Sequence, residues 1–296
     1  MQAYYRIIVA LLLVSSGIDG SSQTITQTVT RSYMQNINCS AATTFAINAE
    51  KASIVVTGWN NNYIEVRLNF FATHPDKKIA ERELNFMRYA IVQEKDLIEL
   101  RNIFVLPAAI DHIQSKLEIK MEIFVPAKNK LQITNKYGEI SLIQLSGNIQ
   151  VNISFGDLHF TDIAGQVTLG ANYSDIRGSH LHTTFLNCTD EKSKLSLDLD
   201  GGGSYSFNSK HGDLDLSLKN INTLTIKSNR SDITIRPQNM DACRYKITCT
   251  DGTLYLPEKY TNRLIKKANQ TSFITSGSVA MPLLAINALF NSVTIK

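Results

Sequence analysis

The chain has 296 residues, 43% hydrophobic and 19% charged, with a formal net charge of +4. That balance fits a folded body with a sizeable core and excludes a disordered or collagen-like chain. The positive excess is spread out, with no basic run and no interleaving of aromatic and basic residues, which argues against nucleic acid as a partner.

At the N-terminus, Arg6 precedes the apolar run Ile7 to Val14, and small residues follow at Ser15, Ser16, Gly17 and Gly20 to Ser22. This is the layout of a secretory signal peptide, predicted over residues 1–22. The run is too short to span a bilayer. The first cysteine, Cys39, lies away from the cleavage region, so lipid attachment there is not supported. No later segment reads as a membrane anchor, so the mature protein is expected to be exported to the periplasm, outer surface or medium without a transmembrane segment.

Residues 23–130 read as longer strands around one helix. Ile64, Val66, Leu68 and Phe70 alternate, as do Ile119, Met121, Ile123 and Val125, while Ile54 and Val56 lead into Gly58 and the only tryptophan, Trp59. The period of two predicts half-buried strands, antiparallel where loops allow. Ala80, Leu84, Met87 and Ile91 recur at helical spacing behind Pro75, predicting an amphipathic helix over about 75–91 that caps an end or edge of the C-terminal repeats.

From residue 131 to 296 the pattern is repetitive. Glycine returns at Gly138, Gly147, Gly156 and Gly165, with Ser174 on the next beat, and an apolar pair follows each glycine, as in Ile140 and Leu142 or Ile149 and Val151. The beat later loosens, yet the pairs persist at Leu195/Leu197, Tyr205/Phe207, Leu214/Leu216, Leu224/Ile226, Ile233/Ile235, Tyr245/Ile247 and Leu254/Leu256. Alternate beats share an aromatic or polar residue, a small residue and an acid. Residues 140, 158, 176, 195, 214, 233 and 254 therefore mark coils of 18 to 19 residues, with a last step of 21. Two strands and two tight corners fit that length, so the predicted fold is all-β: a parallel β-solenoid, or flattened β-helix, behind the N-terminal β region. Small residues suit the corners because the chain there needs a positive φ or a close approach to the next coil. Seven coils at about 4.8 Å each give a rod on the order of 34 Å long.

The cysteines are expected to be free. Cys243 and Cys249 flank one apolar pair with the same parity, so an extended strand holds them about 20 Å apart, far beyond disulfide reach, and both are expected to be buried thiols. Cys188 lies several coils earlier and Cys39 outside the repeat, and all four read as packing residues.

The exported leader, Gly58-Trp59 followed by Asn60 to Asn62, the helical insert, Val125-Pro126, and Asn135-Lys136-Tyr137-Gly138-Glu139-Ile140 with its echoes resemble the "putative adhesin" family of bacterial β-solenoid proteins. That family is related to the toastrack-like envelope domains. The resemblance implies a non-enzymatic protein of the bacterial envelope or surface. It brings no ligand residues with it.

Three features are candidates for a site. The row Tyr137, Phe155 and Tyr173 either holds sugar rings or packs on itself. The acids Glu139, Asp157, Asp175, Asp213, Asp232 and Asp251, if stacked one coil apart, repel by roughly 1 to 3.5 kcal/mol per neighbour, which favours either a cation between them or corner capping in water. His180 and His182 share a strand face without a third ligand in register, and His159 and His211 fall elsewhere in the repeat. No catalytic, cofactor or metal residue is assigned. The preferred reading is an interaction module that binds a protein partner or an envelope glycan through its β faces. The alternatives are a polysaccharide lyase, which needs acids beside a basic residue on one face, and an envelope-stress sensing domain.

Overall fold

The computed structural model describes residues 26–108 and 110–296; the leader predicted over 1–22 lies outside them. The N-terminal elements are β1 (Gln27–Asn38), β2 (Thr44–Glu50), β3 (Ala52–Trp59), β4 (Tyr63–His74), the helix α1 (Lys77–Leu84), β5 (Met87–Glu94), β6 (Leu97–Phe104) and β7 (Lys116–Pro126). The repeats follow as β8 (Lys130–Lys136), β9 (Ile140–Ile143), β10 (Asn148–Ser154), β11 (Asp157–Asn172), β12 (Asp175–Glu191), β13 (Lys194–Leu199), β14 (Ser204–Lys210), β15 (Asp213–Leu218), β16 (Thr223–Asn229) and β17 (Asp232–Pro237). The chain ends with β18 (Arg244–Thr250), β19 (Thr253–Tyr255), the one-turn helix α2 (Glu258–Thr261), β20 (Ile265–Lys267), β21 (Gln270–Ile274), β22 (Leu283–Leu289) and β23 (Ser292–Ile295).

Each coil lays one strand on a leading face, turns a tight corner and lays the next on a trailing face. The leading face pairs β8, β10, the second half of β11, the second half of β12, β14 and β16 in parallel. The trailing face pairs β9, the first halves of β11 and β12, β13, β15 and β17 in the same way. Every apolar pair read from the sequence between Ile140 and Ile235 points inward and is buried, Ile149 with Val151 and Leu214 with Leu216 among them. Each large side chain so buried stabilises the stack by about 1.5–3 kcal/mol, which only a neighbouring coil can supply.

Both ends of the stack depart from chain order. At the C-terminal end, β22 pairs with β16 on one side and β18 on the other, and β23 lies between β17 and β19. Val293 therefore stands between Ile233 and Leu254, which the 21-residue step places in adjacent coils. At the N-terminal end, β2 lies between β6 and β8, and β3 between β7 and β9, all in parallel. The parallel stack thus begins before residue 130, and Ile54 and Val56 belong to it rather than to an antiparallel sheet. Among the described residues antiparallel pairing is confined to β1 with β4, β4 with β7, β5 with β6, and the β18–β21–β20 ribbon.

The helix is shorter than its sequence spacing implies. Asp76 caps it by accepting from the Lys78 N–H at 2.8 Å, and it ends at Leu84; Met87 onward is strand β5. The segment Met87 to Val92 is rich in aromatic and branched residues and finds β6 as an antiparallel partner, so tertiary pairing overrides the helical periodicity of Met87 and Ile91. The helix packs on β1 and β4 with Ala80, Glu83 and Leu84 buried. Burial opposes ionisation of Glu83, but the backbone N–H groups of Ser115 and Gln114 and the adjacent Arg82 outweigh it and hold the carboxyl below its ordinary value. That carboxylate ties the loop before β7 to the helix. Among the described residues no helix is long and apolar enough to cross a membrane.

The four cysteines are free thiols; Cys188 and Cys249 are buried, whereas Cys39 and Cys243 are only partly so.

Candidate functional site

At the corner between the two faces, one residue per coil adopts left-handed backbone. Tyr137 (φ 60°), Phe155 (φ 57°) and Tyr173 (φ 50°) are three of them, and Lys51, Lys192, His211, Arg230, Phe290 and Asp251 occupy the equivalent place in the other coils. Each N–H donates to a carbonyl of the adjoining coil, as from Tyr137 to Ser154 at 2.9 Å and from Phe155 to Asn172 at 3.0 Å. A bulky residue with positive φ is strained. Because lysine, histidine and arginine accept the same strain, it is imposed by the corner and not by a role of the rings.

Glycine is not the left-handed residue here; it follows it. A Cβ on Gly138 would lie 2.1 Å from the Ala52 carbonyl oxygen, and one on Gly156 would lie 1.9 Å from that of Gly138. Close approach of successive coils, one of the two reasons expected from the sequence, selects glycine there. Gly165, at the opposite corner, combines both reasons: its φ is 82°, and a Cβ would lie 2.4 Å from the Gly147 carbonyl oxygen.

The three rings stack along the rod with centroids 5.1 Å apart in both pairs and planes 17° and 15° from parallel. All three remain nearly half exposed, Tyr137 and Phe155 at 45% and Tyr173 at 48%. Lysines close the two ends of the stack: Lys136 Nζ lies 5.1 Å from the Tyr137 centroid and Lys192 Nζ 4.8 Å from that of Tyr173. Lys192 also donates to the Tyr173 hydroxyl at 2.7 Å, a bond that raises the lysine pKa. The ring faces are therefore turned to one another and to ammonium groups. What reaches solvent is a wall of ring edges and the Tyr137 hydroxyl, not a flat platform for a sugar ring.

The acid row is not a continuous ladder. Asp157 pairs with Asp175, but Lys194 stands between Asp175 and Asp213, and Asp213 pairs with Asp232. Asp251 is a corner residue, with Thr253 in the acid column beside Ser292. A lysine inside the row relieves the repulsion that would have favoured a cation. His180 lies 3.2 Å from Asp162, while His182 Nδ1 contacts the Asp200 carbonyl at 2.8 Å, so the two histidines are separately engaged. Among the described residues no three of His, Cys, Asp or Glu come together as a metal-binding group. A shallow cleft of about 210 Å³ on the trailing face is lined by His159, Thr161, Arg177, Ser179 and Ser196, with His159 3.7 Å from Glu139.

Sequence reading missed three parts of this surface. Lys136 and Lys192 had no periodic signal, although both sit beside or at a left-handed corner. Phe290, whose ring lies 5.6 Å from the Arg230 guanidinium carbon, enters the corner column from between β22 and β23 and falls outside any linear repeat. Behind the column, Asp190 is almost fully buried beneath Ser209, whose hydroxyl donates to it at 2.9 Å, and burial pushes its pKa up to about 7.

The family model described as Toastrack DUF4097 matches residues 93–283. The chain belongs to this toastrack family. Several solved structures resemble it, among them the following three. A "putative lipid binding protein" from Parabacteroides distasonis shares 9% identity at a TM-score of 0.49, over 90% of this chain and 96% of its own. A "putative adhesin" from Parabacteroides merdae shares 9% at 0.47 with the same coverage, and one from Bacteroides fragilis shares 11% at 0.45, over 95% and 100%. None of the curated proteins matches the chain. Within the toastrack match the regular coils from β8 to β19 are complete, whereas β2, β3 and most of β22 and β23, which fill internal places in the stack, lie outside it.

Proposed function

We propose that this toastrack protein is an exported, non-enzymatic module of the bacterial cell envelope or surface that binds a protein partner or an envelope glycan through its solenoid faces. The observation that carries this reading is the exposed aromatic wall of Tyr137, Phe155 and Tyr173, ordered on a rigid stack and open to solvent along one edge. Aromatic side chains fixed in this way lose little conformational entropy on binding, which favours recognition.

Binding of the purified protein to an isolated bacterial envelope fraction tests it. The double variant Tyr137→Ala/Tyr173→Ala is expected to lose most of that binding while its melting temperature stays within a few degrees. Undiminished binding would remove the wall from the site. The cleft at His159 and Arg177 supports a second reading, an enzyme that cleaves uronic-acid polymers by base-assisted elimination. Incubation with such polymers separates the two, because an unsaturated product overturns the non-enzymatic assignment.

A further inference from the structure

The leading face carries a second chemistry beside the aromatic wall. In its two central outward columns, the coils of β2, β8, β10, β11, β12 and β14 present Ala46 and Asn48, Gln132 and Thr134, Gln150 and Asn152, Thr168 and Gly170, Asn187 and Thr189, and Ser206 and Asn208. No ionisable group interrupts these columns across the six coils, a distance of about 24 Å. Charge returns at each limit, with Glu99 and Arg101 on β6 and Lys227 on β16, and in the edge column beside the aromatic wall, with Glu50, Lys136, Glu191 and Lys210.

The amides and hydroxyls are not consumed by the protein. Asn48 donates to Glu99 Oε1 at 2.7 Å, but among the described residues none of Gln132, Thr134, Gln150, Asn152, Thr168, Asn187, Thr189, Ser206 and Asn208 makes a side-chain hydrogen bond to another residue. Stacked Asn and Gln often bond to one another from strand to strand. Here they do not, and their donors and acceptors remain free for a ligand. Gly170 keeps room for its neighbour, since a Cβ there would lie 2.6 Å from Asn152 Oδ1. A shallow depression of about 140 Å³ opens among Asn48, Gln132, Thr134, Gln150 and Asn152. It lies on the coils whose strands β8 and β10 lead into Tyr137 and Phe155.

We propose that the leading face from Asn48 to Asn208 is a binding site for an uncharged, extended polysaccharide, laid across the coils with the aromatic wall as its rim. The assignment rests on the reading of the chain as a glycan- or partner-binding module and names its ligand class and face. Three properties select this occupant. Primary amides and hydroxyls offer both donors and acceptors, matching sugar hydroxyls that do both. An acidic polymer or a charged peptide would lose hydration with no opposite charge in the columns to compensate. The coils repeat every ~4.8 Å, comparable with the monosaccharide repeat of an extended β-linked chain, so one set of contacts can recur along the ligand.

The test is retention of the protein on insoluble cellulose and chitin, against soluble polygalacturonate and alginate as acidic probes. The expected result is binding to a neutral polymer that weakens at least tenfold in Thr134→Lys/Asn152→Lys, survives in Thr134→Ser/Asn152→Gln, and is unchanged by Asp198→Lys on the trailing face. All three positions are exposed, and melting temperatures of the variants identify any that fail to fold; the conservative pair keeps the test valid in that event. Preference for the acidic probes would overturn the ligand class while leaving a glycan-binding module. Loss of neutral binding in Asp198→Lys alone would overturn the choice of face. Retention on none of the four polymers overturns the inference, and the envelope-binding experiment then decides the module reading separately.

Discussion

The two faces share one core yet present opposite surfaces. Outside, the trailing face is charged: Arg67 bonds Glu122 at 3.0 Å, Glu139 lies near His159, Arg236 pairs with Asp215, and Asp157, Asp175, Lys194, Asp213 and Asp232 line its corner edge. Across the same coils the two central leading columns carry amides and hydroxyls, with Ala46 and Gly170 among them and no ionisable group. The interior cannot cause this difference, because both faces bury the same kind of apolar pair. Stacking fixes what points inward and leaves the outward columns free to vary, so the outward chemistry is where a ligand would be read.

The largest expected effect comes from breaking the support that both faces share. Deletion of residues 283–296 removes β22 and β23 from between their neighbours and takes Leu284, Ile286, Val293 and Ile295 out of the core. At about 1.5–3 kcal/mol each, these four side chains rival the ~5–15 kcal/mol net stability of a whole domain. Loss of the cooperative unfolding transition, followed by circular dichroism, is the expected outcome; a shift of only a few degrees would show the interleaved strands to be dispensable.

A smaller effect probes the leading face from within. Asp190 takes up protons more readily folded than unfolded, its pKa rising from 3.8 to about 7, so the folded state binds the extra proton between those values. Stability should therefore fall as pH rises from about 4 to above 7, and Asp190→Asn should remove that slope and raise stability at pH 8 by about 1–4 kcal/mol. Thermal melts of both proteins at pH 5 and pH 8 measure this, and parallel pH dependences would show that the buried acid does not titrate. The smallest effect belongs to the trailing surface: Asp215→Ala breaks a half-exposed pair with Arg236 and is expected to cost no more than about 1 kcal/mol, less still in high salt. A larger loss would mean that the charged face contributes to stability as the core does.

Much of the fold was legible because its signals are local. Parity two within a strand placed Ile140, Leu142, Leu214 and Leu216 inside, and the 18 to 19 residue step set the coil. The aromatic row was legible for the same reason, since Tyr137, Phe155 and Tyr173 hold one place in consecutive coils. The helix was overextended because Met87 and Ile91 satisfy a helical spacing that β6 overrules by pairing. The neutral columns went unseen because a residue such as Asn152 is informative only beside its neighbours Thr134 and Gly170 on adjoining coils.

The sequence by itself determined the coil length, the inward residues and the corner positions, because each depends on backbone geometry within about twenty residues. Only the tertiary structure decided which coils are neighbours at the two ends and which chemistry lines each outer face. A free parallel edge accepts any strand of matching apolar parity, and the entropy of closing a longer loop rises only slowly with its length. Thus β2 with β3 and β22 with β23 could enter the stack from a distance, and their places in the molecule derive from edge pairing and burial, not from position in the chain.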